Sequence, residues 1–343
     1  MKQEGDVMKG LKNIRCMFFG GIVVSSLFLI SCGKIEEVVV DNIKLNSGAI
    51  IEKIDDSFKN FNLKDEKYDT IESEDIIGLY DNETGRYISV NNGEYKFFKN
   101  GKAIKLDGVS QDVISLKLSP KGKYLTYFEN EDGVNNLKIY GLENSEEIEF
   151  NSKVFISSTY MDWLDEKNIV YYGISEDRVN GIFIYNVETG TEDVFYKLNG
   201  GIVQYIKTLK EGVIYVHETI DNERVLKVID NSGSNETIIS KDIIQVNDII
   251  KQNESYYFLG KVKGDNESLY KISNGKLKRM TFDFPQEIDM EKGLSKSEDG
   301  NILFIGKNDK KVKEKQIYKL TPEGAISLLK DSGKDYNFVD INE

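Results

Sequence analysis

Four charged side chains stand at matching places along the chain. Lys117, Asp162 and Lys207 each lie five residues before a turn residue (Gly122, Lys167 and Gly212), and Asp248 lies six before Glu254. Amines and carboxylates interleaved in this way can pair with one another, hold a polar ligand, or pass protons between an acid and a base. The other candidates are sparse. His217, the one histidine, ends the apolar run 213–217. A serine hydrolase needs a base beside its nucleophile, and the chain has no Gly-x-Ser-x-Gly elbow, so a structural or solvated role suits His217 better. One histidine rules out a multi-histidine metal centre, and two cysteines cannot build a four-cysteine zinc site or a disulfide framework. Phosphate-cradling glycine loops of either common type are missing. Acidic, asparagine-rich tips recur (Asn130-Glu131-Asp132-Gly133, Glu176-Asp177, Asp221-Asn222-Glu223, Asp265-Asn266-Glu267), and calcium favours such oxygen-rich turns. Phe128 stands where the first Asp of a twelve-residue calcium loop would be, and ordinary turn chemistry accounts for these tips. No catalytic residue, metal or cofactor is expected from this set.

The elements that must position Lys117, Asp162, Lys207 and Asp248 repeat. Ile114-Ser115-Leu116-Lys117-Leu118 leads through Ser119-Pro120-Lys121-Gly122 to Lys123-Tyr124-Leu125-Thr126-Tyr127. Tyr160-Met161-Asp162-Trp163-Leu164 leads through Asp165-Glu166-Lys167 to Asn168-Ile169-Val170-Tyr171-Tyr172. Each such pair is followed by another, for example Ile182-Phe183-Ile184-Tyr185, Glu188-Thr189-Gly190 and Asp193-Val194-Phe195-Tyr196. Apolar spacing of two, β-branched and aromatic enrichment and glycine or asparagine turns read as strands and hairpins. The turn residues Gly85, Gly122, Lys167, Gly212, Glu254 and Gly300 mark six copies with a period of about 43 residues and four strands each. That is the signature of β-propeller blades, small sheets that cannot bury their own faces. Helical repeats fail, since the apolar period is not 3.6 and glycine falls inside every unit. The fold class is therefore all-β, a propeller of four-stranded blades. In such a ring the first strand of each unit lines the central channel, so the four charged residues would alternate in sign around its wall. Structural ion pairs in a wet channel are the first reading of that ring, and a polar ligand site the second. The run 336–341 reads as one further first strand. Either it joins strands from residues 35–71 in a composite seventh blade, or it patches the seam of a six-bladed ring. The composite is favoured, because the early apolar pieces need partners.

Ser119-Pro120-Lys121-Gly122-Lys123-Tyr124-Leu125, with a weaker copy at Ser297-Glu298-Asp299-Gly300-Asn301-Ile302-Leu303, resembles the Ser-Pro-Asp-Gly-Lys motif of TolB-type, WD40-like propeller repeats. Lys121 stands where that family usually has Asp. The resemblance implies the propeller fold and says little about function, because such rings serve hydrolases, transport accessories and scaffolds alike.

Upstream of the repeat, Lys9, Lys12 and Arg15 precede an uncharged run, 17–30, that is too short for an ordinary spanning helix of about 20 residues. It suits the apolar region of a secretory signal. The run ends Leu29-Ile30-Ser31-Cys32-Gly33, which resembles a bacterial lipobox. The resemblance implies cleavage before Cys32 and acylation of its thiol, often of the new amine as well; two or three acyl chains hold a protein on a bilayer where one is marginal. An uncleaved signal anchor with an incidental cysteine is the competing reading. Glu4 and Asp6 are unusual in a signal, and Met8 makes a cleaner start than Met1. The expected organisation is a signal peptide over 1–31, a lipidated Cys32 and partly packed tether over 32–74, and the propeller over 75–343.

Charge narrows the partners. With 58 acidic against 45 basic residues and a net charge of −13, the chain lacks the basic face that duplex nucleic acid needs. The expectation is a monomeric lipoprotein on the outer side of the cell membrane, touching the bilayer through Cys32. Its propeller would bind a protein, peptide or glycan by one face and would not be an enzyme. The alternative is a propeller lyase or hydrolase that uses channel carboxylates such as Asp162 and Asp248.

Overall fold

The structure, a computed structural model, describes residues 43–342 other than 56, 74, 92 and 334, and leaves out the side chains of 157, 158 and 332. The expected leader, 1–31, and Cys32 lie outside the described residues. Among the described residues, thirty strands form seven sheets, antiparallel but for one parallel pairing, and one three-residue 3-10 turn lies at Pro120–Gly122. No described helix is long and apolar enough to cross a membrane.

Six sheets follow the repeat in chain order, and each is a blade. Blade 1 is Ile76–Asp81, Tyr87–Asn91, Glu94–Lys99 and Lys102–Lys105. Blades 2, 3, 4 and 5 begin on the inner strands Ile114–Leu118, Val154–Trp163, Ile202–Leu209 and Ile243–Gln252. Blade 6 has its inner strand split into Glu287–Ile288 and Leu294–Lys296. The seventh sheet is composite. Asp335–Phe338 is its inner strand, and Ile50–Ile54, Ser57–Lys64 and Lys67–Ile71 are the outer three. The propeller thus takes in strands from the stretch 32–74, and the ring has seven blades, not six with a patch. The chain then turns at Val339, and Asp340–Asn342 runs parallel to the inner strand of blade 1, with Asp340 opposite Leu79. The C-terminal segment therefore stitches blade 7 to blade 1.

Burial explains why this ring forms. The second strands of blades 2, 3 and 4 are buried on both faces, with Leu125 to Phe128, Ile169 to Tyr172 and Val213 to Val216 all buried and all but Thr126 apolar. Such a strand needs cover on either side, and adjacent blades supply it. Seven hydrophobic clusters lie one at each junction, from the blade 1–2 contact of Ile88 and Phe97 with Leu125 and Tyr127 round to the blade 7–1 contact of Ile51 with Ile77 and Tyr80. Each large side chain so buried is worth about 1.5–3 kcal/mol. Junction 6–7 has the smallest cluster: Ile50, Phe61, Ile305, Ile317 and Tyr336.

The Ser-Pro-x-Gly turn has a direct physical basis. Ser119 Oγ accepts from the amides of Lys123 (3.1 Å) and Tyr124 (2.9 Å), while Asp81 of blade 1 accepts from the Lys121 amide at 2.7 Å. Asp165 plays the serine's part in blade 3, accepting from Lys167 and Asn168 at 2.9 Å. These first-to-second-strand turns share one face of the disc, here the turn face; the second-to-third-strand hairpins mark the opposite, hairpin face. Residues 43–49 lie on the turn face, where Tyr80 donates to the Ile43 carbonyl (3.2 Å) and the Val339 amide to that of Ala49 (3.0 Å). Gly48 there has φ +88, and a Cβ would come within 2.6 Å of Leu303 and 2.8 Å of Leu63, so only glycine passes this seam.

Candidate functional site

The inner strands bring all four sequence-predicted charges into the channel, as two ion pairs. Lys117 Nζ lies 2.7 Å from Asp162 Oδ1, across the blade 2–3 junction. Lys207 Nζ lies 2.6 Å from Asp248 Oδ1, across the blade 4–5 junction. Each carboxylate is also held by backbone. Asp162 accepts from its neighbour's amide, Trp163 N, at 3.0 Å, and from Thr208 N of blade 4 at 2.8 Å. Asp248 accepts from Ile249 N at 2.8 Å and from Leu294 N of blade 6 at 2.7 Å. Tyr205 points its hydroxyl at Asp248 from 3.4 Å, and burial, then Asp248 and Asp162, keep that hydroxyl protonated well above its usual range. Asp162 therefore ties blades 2, 3 and 4 together, and Asp248 ties blades 4, 5 and 6. Their lone pairs are spent on the ring, which makes them staples before they can be reagents. Lys117 stays charged, since burial lowers its affinity for the proton but Asp162, Asp340 and Asp248 together raise it further.

Asp340 is the channel residue that sequence reasoning missed. Its carboxylate faces the same Lys117, Lys207, Asp162 and Asp248, yet it has no hydrogen bond or ion pair among the described residues. The side chain is exposed by surface area, yet protein surrounds it. Burial pushes its carboxyl above the usual range; Lys117 and Lys207 pull it back, and Asp162 and Asp248 push it up again. A signal existed in the sequence, because Asp340 is the one charge in the run 336–342. What hid it was the reading of 336–341 as a single strand. Val339 breaks that run in two and carries Asp340 across to blade 1.

Five residues earlier, Asp335 is the opposite case. Lys292 (2.9 Å) and Lys315 (2.7 Å) both reach it, and Lys315 also holds Asp289 at 2.7 Å. Burial alone would raise the Asp335 carboxyl, but the two lysines hold it below the usual range.

The other candidates do not join this site. His217 is buried in blade 4, its Nε2 2.9 Å from the Gly200 carbonyl. The acidic tips lie on the hairpin face, and among the described residues no group of three or more His, Cys, Asp or Glu could hold a metal ion. A second concavity, about 530 Å³, opens between blades 5 and 6 and is lined by Lys261, Arg279, Phe282, Pro285, Met290 and Lys310 among others.

No family model matches the chain, and neither does any curated protein. Solved structures do. The propeller domain of the Trilobed protease from Pyrococcus furiosus, described as having an open velcro topology, matches over 84% of this chain and 96% of its own, with 16% identity and a TM-score of 0.54. Oligogalacturonate lyase from Vibrio parahaemolyticus matches over 83% of this chain and 85% of its own, with 14% identity and a TM-score of 0.51. A TolB from Acinetobacter baumannii matches over 84% and 81%, with 11% identity and a TM-score of 0.44, too low to carry an argument. At these identities the likeness establishes the propeller fold and nothing finer.

One expectation is corrected here. The expectation that the propeller is not an enzyme rested on the missing nucleophile elbow and other catalytic motifs. The match spans 85% of a lyase, so in that protein the propeller is most of the enzyme. Missing hydrolase motifs therefore do not make a propeller a non-enzyme.

Proposed function

We propose that this chain is a lipoprotein held on the outer side of the cell membrane by acylated Cys32, and that its propeller recognises a protein, peptide or glycan by one face of the disc. The observation that carries this reading is where the chain enters the body. Residues 43–49 lie along the turn face, held through Tyr80 and Val339. Ile43 lies eleven positions after Cys32, so the anchor can stand at most about 40 Å from its entry point. A leash of that length lets an acylated Cys32 hold the body near a bilayer while a face stays open to partners. The acid excess supports contact through acyl chains alone, since an anionic surface repels a net negative body. The test is metabolic labelling with an alkyne palmitate analogue, followed by membrane fractionation of the wild type and Cys32→Ala. Label and membrane recovery that both vanish in the variant support the reading. Equal label, or a wild-type chain recovered in the cytosol with residues 1–31 intact, would overturn it.

Asp340 favours a second reading. A carboxylate with no hydrogen bond or ion pair among the described residues, pushed above its usual range and facing Lys117 and Lys207, is suited to accept or donate a proton to a ligand entering the channel. In that reading Asp340 is the acid–base group, Lys117 and Lys207 balance developing negative charge, and Asp162 and Asp248 position the lysines. Asp340→Asn should abolish turnover of any substrate found while leaving the melting temperature within a few degrees. A fully active Asp340→Asn would remove the channel from the chemistry.

A further inference from the structure

We propose that the cleft between blades 5 and 6, on the hairpin face, receives an acidic polypeptide segment that carries an apolar side chain. The proposal narrows the reading that one face captures a partner by saying which cleft and what chemistry, and it does not depend on the lipid anchor.

Charge points to the occupant first. Hairpin tips on this face are acidic in blades 2, 3, 4 and 5, at Glu131-Asp132, Glu176-Asp177, Asp221 with Glu223, and Asp265 with Glu267. Blade 6 breaks the pattern. Its hairpin, 307–315, carries Lys307, Lys310, Lys311, Lys313 and Lys315 against Asp309 and Glu314. Lys307 is committed to Glu287 at 3.4 Å and Lys315 to Asp289 and Asp335. Lys310, Lys311 and Lys313 have no ion-pair or hydrogen-bond partner through their amines among the described residues, and neither does Lys261 across the cleft. Unpaired lysines gathered on a strongly acidic protein make a local field that attracts a negative group.

Shape and apolar surface point to a polypeptide. Phe282 is 67% exposed at the cleft, with the Arg279 guanidinium over its ring at 5.5 Å. Arg279 is itself fixed by Asp265 at 2.6 Å, so the stacked platform is preorganised. Phe284 packs edge-on against Tyr318 at 5.4 Å and remains 41% exposed, and Val312 of the lysine hairpin is 41% exposed as well. Pro285, Ile288 and Met290 floor a volume of about 530 Å³, within the usual range of ligand pockets. Aromatic anchors, methionine and arginine inside a lysine-bearing rim match the anatomy of a protein-recognition surface. Glu267 and Glu287 also line the cleft, and they would turn away an occupant that was acidic throughout, leaving its apolar residue to seat at the centre.

The test uses the full chain in detergent and a displayed library of random twelve-residue peptides. Peptides retained by the wild type should be enriched in Asp and Glu flanking Phe, Leu or Trp. Retention should fall about tenfold in Lys261→Glu/Lys310→Glu and by a similar factor in Phe282→Ala, while Lys276→Glu, on the turn face, leaves it unchanged. All four changes alter exposed or half-exposed side chains, and an unaltered melt will show that each variant folds. The proposal is overturned if no peptide is enriched, if the enriched peptides are no more acidic than the library, or if the cleft variants retain them equally. It is overturned too if only acidic oligosaccharides bind in a cleft-dependent way, since the occupant is then a glycan. Failure here leaves acylation of Cys32 untouched, because the labelling experiment reads that separately.

Discussion

Asp335 and Asp340 lie five residues apart in one C-terminal segment and experience opposite environments. Asp335 starts the inner strand of blade 7 and is gripped by Lys292 and Lys315. Asp340 starts the parallel strand beside blade 1 and has no hydrogen bond or ion pair among the described residues. The same contrast holds within the channel, where Asp162 and Asp248 are saturated by lysine and backbone donors while Asp340 shares their space unpaired. The lesson is that a charge lining a propeller channel is not by itself a functional group. Most of the charge there closes the ring, and the residue free to act is the one the ring does not use.

Removing the segment that contains both aspartates tests the comparison most severely. Deleting 335–343 takes away the inner strand of blade 7, the fully buried Tyr336 and the stitch to blade 1. Losing a buried aromatic alone costs about 3–5 kcal/mol, and the ladder goes with it. The melting temperature should drop by at least about 10 °C, or the cooperative transition should disappear. An unchanged melt would mean that neither end closes the ring.

Smaller changes separate staple from free charge. Asp162→Ala leaves Lys117 and the Thr208 amide without their acceptor and should cost about 3 kcal/mol in denaturant unfolding, below the upper range for buried pairs because both side chains keep some exposure. Asp340→Asn should not destabilise at all. A variant as damaging as Asp162→Ala would place Asp340 among the staples.

The two pH responses run in opposite senses. Asp335 binds its proton less readily folded than unfolded, so its pairing stabilises above the unfolded value of about 3.9 and is lost as pH falls through the lower folded value. Asp335→Asn should therefore be about 1–2 kcal/mol less stable than wild type near neutrality, with the gap closing in acid. Asp340 binds its proton more readily folded, so its ionised form costs stability above the folded value, and that cost disappears as pH drops to the unfolded one. Asp340→Asn should be slightly more stable than wild type at neutral pH and equal to it below about pH 4. Stability curves of both variants across pH 3–8 check the two signs.

Local pattern made much of this legible. Six blades follow from strand spacing and turn chemistry, because each hairpin pairs residues close in sequence, and the channel positions of Lys117, Asp162, Lys207 and Asp248 follow from their offset of five or six residues to the turn. The inner strand of blade 6 was not legible, because Asp289 to Gly293 interrupt it and leave Glu287–Ile288 too short to show alternation. Asp340 and the 6–7 seam depend on contacts between chain ends, such as Tyr336 with Glu52, which no local period encodes. The lysine hairpin was visible as composition, but its meaning came only when folding set it beside Phe282.

The most direct measurement is a carboxylate carbon-13 NMR titration of the full chain labelled at aspartate, with the two resonances assigned through Asp335→Asn and Asp340→Asn. Asp340 should titrate above the usual carboxylate range and Asp335 below it, as one free and one stapled group require. Asp340 titrating at or below the ordinary value would show that the ring uses it after all, and would contradict the account.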